Sequence, residues 1–250
     1  MHRPAFSLLE LLVVVAIIAT LTAILLPTLG QSRDAARAAV CQSHLHQTAL
    51  ATAGYHHDFA GRFWRYYAGA TGGRQWWFGF EPGGPGSGPN RPLDKGRAVL
   101  ADYLGTADDA FNCPVFPYDH PRFFPKFDRR AASLGFNLHL GPVGAAPAAR
   151  VDHIIQPAAV FTFADAIHFD GLGGPGTFNE GHYLQYTPGA AMMSGYAHFR
   201  HQRTAHALFA DGHVAPQTPA TPAFAGGAPF AGGPISNLAS PDGSARIYGP

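Results

Sequence analysis

Residues 6–26 read FSLLELLVVVAIIATLTAILL and carry a single charge, at Glu10. As a helix rising about 1.5 Å per residue, the segment is about 31 Å long, which matches the hydrocarbon core of a bilayer, about 30 Å thick. The segment is therefore able to span a membrane. A carboxylate at this depth costs on the order of 2.5–3.5 kcal/mol, so Glu10 either stays near the wet headgroups or awaits a positive group from another molecule.

Three kinds of segment share this composition: a cleavable secretory signal, a buried core helix and a membrane anchor. A secretory signal has a shorter apolar run, of about 7–15 residues, followed by a cleavage site between small residues. This run is longer and ends at Leu26-Pro27-Thr28 without such a site. A core helix that is apolar on every face needs a large domain around it, and the remaining chain is rich in glycine and proline. The residues favour a membrane anchor.

The composition of the whole chain limits the function classes further. Of its 250 residues, 17 are Lys or Arg and 16 are Asp or Glu, while 30 are Gly and 22 are Pro. Charged residues make up 13% of the chain, against about 25% in a typical soluble domain. No basic stripe points to nucleic acid, and no acidic tail is present. We therefore expect a membrane-associated protein with a loop-rich remainder and no nucleic-acid partner.

The amino terminus, MHRPA followed by FSLLE, resembles the signal of type IV prepilins and type II secretion pseudopilins. In that family a prepilin peptidase removes a short basic leader, and the new terminal Phe is N-methylated. The resemblance implies a leader at residues 1–5, cleavage between Ala5 and Phe6, and methylation of Phe6. The family usually has Gly before the cut, where this chain has Ala5. Glu10 and Pro27 stand where the family has the glutamate of the fifth mature residue and a proline at the twenty-second.

The same resemblance supplies a partner for Glu10. In assembled subunits of the family the glutamate pairs with the free terminal amine of a neighbour, which here is the amine of Phe6. An ion pair formed inside lipid relieves two costly burials together, and it makes cleavage a prerequisite for assembly. Pro27 is expected to kink or locally melt the helix, because proline removes one helical hydrogen bond. The resemblance places the amino terminus in the cytoplasm and the remainder outside the inner membrane.

The expected fold is α+β and pilin-like: a long N-terminal helix packed on a small antiparallel sheet, with a loop-rich head. Residues 6–27 form the transmembrane helix, 28–60 an amphipathic continuation, 61–216 the globular head, and 217–250 a flexible tail rich in proline and glycine. The continuation places small and apolar side chains on one face at helical spacing. These side chains belong to Ala38, Cys41, Leu45 and Ala49.

Strand signals are clearest late in the head. Ala159–Asp165 alternates aromatic and small residues, and Ala205–Val214 reads as strand, tight turn at Asp211-Gly212, strand. Pro216 is expected to end the second strand, because proline cannot donate to a ladder. An aromatic block between residues 63 and 80 is expected to pack in the core, with a carbohydrate- or partner-binding platform as the alternative. Its members are Phe63, Trp64, Tyr66, Tyr67, Trp76, Trp77, Phe78 and Phe80.

A second resemblance covers the head. His201, nine intervening residues and Asp211-Gly212 match the carboxyl-terminal signature of one large group of prepilin-like envelope proteins. The chain resembles that group from Phe6 to about Val214. Further segments that carry the resemblance are Cys41 with Leu45 and Gln47, Tyr103-Leu104-Gly105, Cys113-Pro114, Gly135-Phe136-Asn137, and Ile155-Gln156-Pro157 leading to Asp165.

The chain has two cysteines, Cys41 and Cys113. Outside the cytoplasm, where the resemblance places them, a pair is more often oxidised than free. A bridge would close a loop of about 72 residues and stabilise the fold by roughly 4 kcal/mol in the chain-entropy model. We expect this disulfide, with two unconnected buried thiols as the alternative.

A metal site near the carboxyl end is the remaining chemical option. The potential ligands there are His198, His201, His206, Asp211 and His213. His206 and Asp211 have opposite strand parity and face opposite sides, whereas a transition-metal site needs three or four converging ligands. We predict no metal and no cofactor, with Asp165 and Asp211 as the residual candidates for calcium. The chain has no Gly-x-Ser-x-Gly elbow and no cysteine with an obvious base, so we predict that it is not an enzyme.

The sequence therefore predicts a pseudopilin-like structural subunit. Its expected partners are the prepilin peptidase and methylase, the membrane, and like subunits or other pseudopilins that contact its helix. It would be assembled into a type II secretion or type IV pilus-like fibre, as a single-pass protein of the inner membrane with its head in the periplasm or cell envelope. The alternative is a membrane-anchored envelope module that binds a ligand, or a metal-dependent enzyme, with the prepilin signal used only for export.

Overall fold

The computed structural model describes residues 7–84, 86, 88–105, 109–141, 143, 147–169, 173–174, 176–185, 195–219 and 235–236. The chain divides into two compact units, Met1–Ala39 and Val40–Pro250. The first unit consists of helix wherever it is described beyond Ser7. The second unit contains the rest of that helix and all the described strands.

Helix α1 spans Leu8–Asp58. Every side chain from Ser7 to Arg37 is exposed, and the helix is long and apolar enough to cross a membrane. It continues through Pro27, so the expected local melting does not occur there. Proline has a φ angle that suits a helix, and its missing N–H removes only one hydrogen bond. A kink at Pro27 stays a prediction.

The carboxyl-terminal part of α1 buries one face within the second unit. The buried side chains are those of Cys41, Leu45, Thr48, Ala51 and Thr52. Cys41 and Leu45 were expected on this face, and the threonines join them because their hydroxyls are satisfied locally. Thr48 Oγ1 donates to His44 O at 2.8 Å, and Thr52 Oγ1 donates to Thr48 O at 2.7 Å. Such bonds to the preceding turn let a hydroxyl enter an apolar interface.

A three-stranded antiparallel sheet follows the helix. Its strands are β1 (Tyr67–Ala70), β2 (Gly73–Trp76) and β3 (Gly79–Pro82), in that spatial order. The aromatic block of this region packs in the core, as predicted. Tyr67 and Trp76 are half-buried, and the fully buried members are Phe63, Trp64, Tyr66, Trp77, Phe78 and Phe80.

The larger sheet is built around β5 (Phe161–His168), all eight residues of which are buried. Its main path runs β10-β9-β5-β4-β7, with β4 at Leu134–Asn137, β7 at Tyr183–Leu184, β9 at Ala205–Phe209 and β10 at Val214–Gln217. Strands β6 (Asn179–Glu180) and β8 (Gly195–His198) also pair with β5, and β11 (Ile235–Ser236) pairs with β8. The pairs are antiparallel except β4 with β7. The architecture is a long helix followed by a largely antiparallel sheet, as expected for the α+β class, and the sheet is larger than predicted.

Short helical segments connect these strands. They are a 3-10 turn at Lys95–Arg97, α2 at Ala101–Leu104, and 3-10 turns at Val151–His153 and Pro157–Ala159. The main core joins the buried face of α1 to both sheets, so that Cys41 and Leu45 share one cluster with Trp77, Phe136 and Phe163.

One expectation about the end of the chain is wrong and another stays a prediction. Pro216 does not end its strand, because it lies within β10 opposite His206. Strand β10 is at the edge of the sheet, where a residue without an N–H is tolerated. Residues 217–250 are expected to be a flexible tail, and this stays a prediction. Within them, Ile235 and Ser236 pair with His198 and Ala197 of β8. The other residues of that tail, from 220 onward, lie outside the described ranges.

Candidate functional site

The first candidate site is the start of α1. The cleavage residues Ala5 and Phe6 lie outside the described residues. Ser7 N donates to Glu10 Oε2 at 2.8 Å, and Glu10 N donates to Ser7 Oγ at 3.2 Å. This reciprocal pair is a capping box, which satisfies two of the free N–H groups at a helix start. The bonds use one oxygen of the Glu10 carboxylate and leave the other available in the described chain.

The second candidate site is a buried polar cluster in the second unit. Four regions distant in sequence meet there: α1, the segment before β4, strand β5, and the edge where β8 turns into β9. Its side chains belong to Cys41, Cys113, Asp165, Arg200, His201 and His206, and each of these residues is at most 6% exposed. Burying so many polar groups is costly unless each is paired, so the contacts within the cluster are informative.

Asp165 is the centre of this cluster. Arg200 Nε donates to its Oδ1 at 3.0 Å, and Arg200 Nη2 lies 2.8 Å from the same oxygen. The backbone N–H of His206 donates to Oδ2 at 2.8 Å, and His201 Nε2 lies 3.3 Å from Oδ2. Cys41 Sγ approaches Oδ1 at 3.5 Å. The carboxylate is thus held by two cations and a backbone donor, which are the interactions that stabilise its charged form.

The sequence predicts a strand over Ala159–Asp165, with Asp165 at its end. The structure places it inside β5, which continues to His168. The antiparallel pairing of β5 with β9 sets Ala164 opposite Ala207, next to His206. The strand pairing therefore positions the His206 N–H to donate to the Asp165 carboxylate.

A tight turn at residues 201–204 positions the histidine and arginine. His201 N donates to Thr204 O at 3.0 Å, and Thr204 N donates to His201 O at 2.9 Å. The two residues between them, Gln202 and Arg203, have φ angles of 50° and 70°. Positive φ at both central positions is typical of a type I′ turn and is unfavourable for residues other than glycine, aspartate and asparagine. Backbone strain of this kind persists where surrounding contacts enforce it.

The expected disulfide is not formed. Both cysteines are free and buried, although their thiols are in hydrogen-bonding contact. The prediction of a bridge did not include the other groups that contact the two thiols. Cys113 Sγ also lies 3.2 Å from His201 Nε2, and Cys41 Sγ contacts Asp165.

The cluster shifts the pKa values of its members in opposite directions. The hydrogen bond with Cys113, together with burial, raises the pKa of the Cys41 thiol well above its usual value. Burial also opposes ionisation of Cys113, but the hydrogen bond from Cys41 and the nearby Arg200 and His201 lower its pKa to about 6. Burial disfavours the charged form of His201, while its hydrogen bonds to Asp165 and Cys113 raise its pKa to about 9.

The carboxylate itself stays ionised. Burial works against its charge, but Arg200 and the hydrogen bond from His201 hold the pKa of Asp165 far below its usual range. Burial lowers the pKa of His206. Near neutral pH the favoured state has an ionised Cys113 and Asp165 beside a charged His201 and Arg200, so that the charges of the cluster cancel.

This geometry gives Cys113 a base that the sequence argument had not found. A thiolate beside an imidazolium occurs in cysteine-dependent catalysis, where a third group orients the imidazole through its other nitrogen. Here Cys113 and Asp165 both contact the same atom, His201 Nε2. Cys113 is fully buried. The arrangement therefore differs from a catalytic triad.

Four groups of the described chain meet the conditions for metal ligands. One ligand atom from each of Cys41, Asp165, His201 and His206 lies within 4.8 Å of the others. Asp211, the other calcium candidate from the sequence, is not in that group. It accepts a hydrogen bond from His213 N at 3.1 Å and contacts His213 Nδ1 at 2.6 Å, in an exposed turn.

The His201, Asp211 and Gly212 signature thus divides between two structural roles. His201 belongs to the buried cluster, whereas Asp211 and Gly212 form the turn between β9 and β10. Gly212 has a φ angle of 91°, in the region that favours glycine. Sequence reasoning missed Cys113, Arg200 and His206 as neighbours of Asp165. The available signal was a carboxylate inside an apolar strand, because such a group needs buried partners.

Comparisons with known proteins identify the amino terminus only. Residues 1–26 match the model of the prokaryotic N-terminal methylation motif. No curated protein and no solved structure matches the chain. The motif stands at the start of a helix that is able to cross a membrane. These findings support a prepilin-like protein that is processed at its amino terminus and anchored in the inner membrane.

Proposed function

We propose that the chain is a pseudopilin-like structural subunit, cleaved between Ala5 and Phe6, N-methylated on Phe6, and assembled through α1 into a type II secretion or type IV pilus-like fibre. The match to the methylation motif at residues 1–26 supports processing. The resemblance of His201 and Asp211-Gly212 to the signature of a group of prepilin-like envelope proteins also supports the proposal. The head stands in the periplasm or cell envelope, and the amino terminus faces the cytoplasm.

One observation carries the assembly role: Glu10 is the only charged residue in a fully exposed apolar stretch of helix. Its described hydrogen bonds are with Ser7 of the same chain, and they involve only one of the two carboxylate oxygens. In lipid, an ionised carboxylate is costly without a positive partner. Cleavage creates such a partner in a neighbouring subunit, the amine of Phe6.

The capping box suggests a precise test of this pairing, the substitution Glu10→Gln. Glutamine still accepts the Ser7 N–H bond, because a capping box tolerates either residue, but it carries no charge. We expect the variant to be inserted and processed with a normally folded head, and to be absent from isolated fibres or from cross-linked subunit ladders. Terminal sequencing of the membrane fraction should give Phe6 as the first residue in both proteins.

Asp34→Asn is the matched control, since it removes one exposed carboxylate from the same helix beyond the apolar stretch. It should be incorporated as well as the natural chain. Normal incorporation of Glu10→Gln would exclude pairing through Glu10 and favour a module that is only anchored. A mature protein that begins at Met1 would exclude processing.

A further inference from the structure

The distances within the buried cluster have the dimensions of a tetrahedral metal site. With ligand bonds of about 2.0–2.3 Å, a tetrahedron has edges of about 3.3–3.8 Å. The separation is 3.2 Å between Cys113 Sγ and His201 Nε2, 3.3 Å between His201 Nε2 and Asp165 Oδ2, and 3.5 Å between Asp165 Oδ1 and Cys41 Sγ. The two thiols are also in contact. These three separations lie close to that range, and the contacts connect all four side chains.

The chemistry of these four groups selects the metal. Two thiolates and an imidazole suit zinc and similar borderline-soft ions, whereas calcium and magnesium prefer an all-oxygen shell. The charges also balance. A divalent ion with two cysteine thiolates and the Asp165 carboxylate has a net charge of minus one, and the Arg200 guanidinium, held by the same carboxylate, restores neutrality. A neutral site is the one least penalised by burial.

His206 is a supporting residue in this arrangement. Its ring stacks on His201 with the centroids 4.3 Å apart and the planes at 20°. Because metal bonds lie in the plane of an imidazole, a ligand bound in the plane of His201 is out of reach of a stacked ring. The backbone N–H of His206 orients the Asp165 carboxylate, as outer-shell groups do for metal ligands. Its Nδ1 is buried and has no hydrogen-bond partner in the described chain.

We propose that the head binds one structural zinc-class ion through Cys41 Sγ, Cys113 Sγ, His201 Nε2 and an oxygen of Asp165. The ion ties α1 to the segment before β4, to β5 and to the turn before β9. When the ion binds, it displaces the protons that the four side chains hold in the absence of metal. This site is independent of how the amino terminus is processed, and it departs from the sequence-based expectation of no metal.

Zinc and cobalt binding to the full-length chain in detergent tests the site. After loosely bound metal is removed with a chelator and zinc is restored, elemental analysis should find one ion per chain. With Co²⁺ in place of zinc, the protein should show the near-ultraviolet charge-transfer absorption of cobalt–thiolate bonds. Cys41→Ser and Cys113→Ser should each lose most of that absorption. His213→Gln, a change at an exposed histidine in the neighbouring turn, should keep it.

The natural chain decides the question even if a cysteine variant fails to fold. A folded natural protein that retains no zinc, or that binds Co²⁺ without thiolate absorption, would refute the site. Non-reducing peptide mapping of the protein from its native envelope gives an independent test. A Cys41–Cys113 disulfide there would refute the proposal, because no thiolates would remain to bind the ion. Unmodified cysteines, protected from alkylation until zinc is removed, would support it.

Discussion

Glu10 and Asp165 are both carboxylates within apolar segments, and the structure treats them in opposite ways. Glu10 lies in an exposed stretch of helix, with hydrogen bonds to Ser7 of its own chain. Asp165 is fully buried and has partners from other parts of its own unit, including Arg200 and the His206 N–H. The head thus satisfies its central charge internally. In the first unit, the described hydrogen bonds of Glu10 come from Ser7 and include no positive group. This difference is the physical basis for the proposal that α1 carries assembly.

Removing the Asp165 charge should give the largest effect on stability. Asp165→Asn keeps the shape of the side chain but leaves the buried Arg200 guanidinium without its counter-charge. Breaking a buried ion pair on one side costs about 3–5 kcal/mol. We expect a loss of this size in the unfolding free energy of the head. Denaturant titration in detergent with a chelator, followed by the fluorescence of the three tryptophans at 64, 76 and 77, measures it without metal.

Glu10→Gln is the matched comparison, because it makes the same chemical change in the exposed carboxylate. The head should unfold at the same denaturant concentration as in the natural chain. Equal destabilisation by both variants would contradict this comparison, in which Asp165 has charge partners within the head and the described contacts of Glu10 include none.

The parts of this comparison differ in how well the sequence predicts them. The apolar run and the absence of proline from 31 to 57 predict α1, since these signals are local. The Asp211-Gly212 turn predicts the β9–β10 hairpin for the same reason. The cluster around Asp165 depends on pairing between β5 and β9 and on the packing of α1, which join positions 41, 113, 165 and 200–206. No local pattern records such long-range contacts, so only the need of Asp165 for a partner could be inferred.

The two halves of α1 allow a second comparison, now between leucines. Leu45 is fully buried in the main core, whereas Leu21 is 56% exposed. Leu45→Ala removes buried methyl groups and leaves a cavity, which costs about 2–5 kcal/mol. Leu21→Ala should leave the unfolding of the head unchanged, as measured by the same tryptophan signal. If Leu21→Ala were as destabilising as Leu45→Ala, the first unit would have to contribute to the stability of the head.

Glu180 sharpens the comparison among buried carboxylates. Its hydrogen bonds come from neutral donors, Ala131 N at 3.0 Å and the Tyr118 hydroxyl at 3.1 Å. Burial raises the pKa of Glu180, whereas these donors and the charges of Lys95 and Lys126 lower it. Burial is the stronger effect, so the pKa is about 7 instead of the usual 4.5. For Asp165, by contrast, direct pairing with Arg200 outweighs burial.

The sign of the resulting pH dependence follows from this raised pKa. Between pH 4.5 and about 7 the folded chain holds a proton on Glu180 that the unfolded chain has lost, so the contribution of Glu180 is complete below pH 4.5 and disappears as pH rises to about 7. The shift corresponds to about 3 kcal/mol. Denaturant titrations across this range should show that the unfolding free energy of the natural chain falls with pH relative to that of Glu180→Gln. Parallel pH profiles would contradict the raised pKa.

The smallest expected effect on the unfolding free energy is that of Gly212→Ala. Gly212 is the last residue of the signature that starts at His201, and it lies in an exposed turn. No atom lies within 4 Å of a Cβ added there, so Gly212→Ala meets no steric clash, and its cost comes only from a φ angle of 91°. A residue with a side chain in this conformation loses about 1 kcal/mol relative to glycine. We expect a small drop in the unfolding free energy, with the cobalt spectrum of the buried cluster unchanged. A larger loss, or a changed spectrum, would mean that the turn and the cluster act as one site rather than as separate turn and core elements.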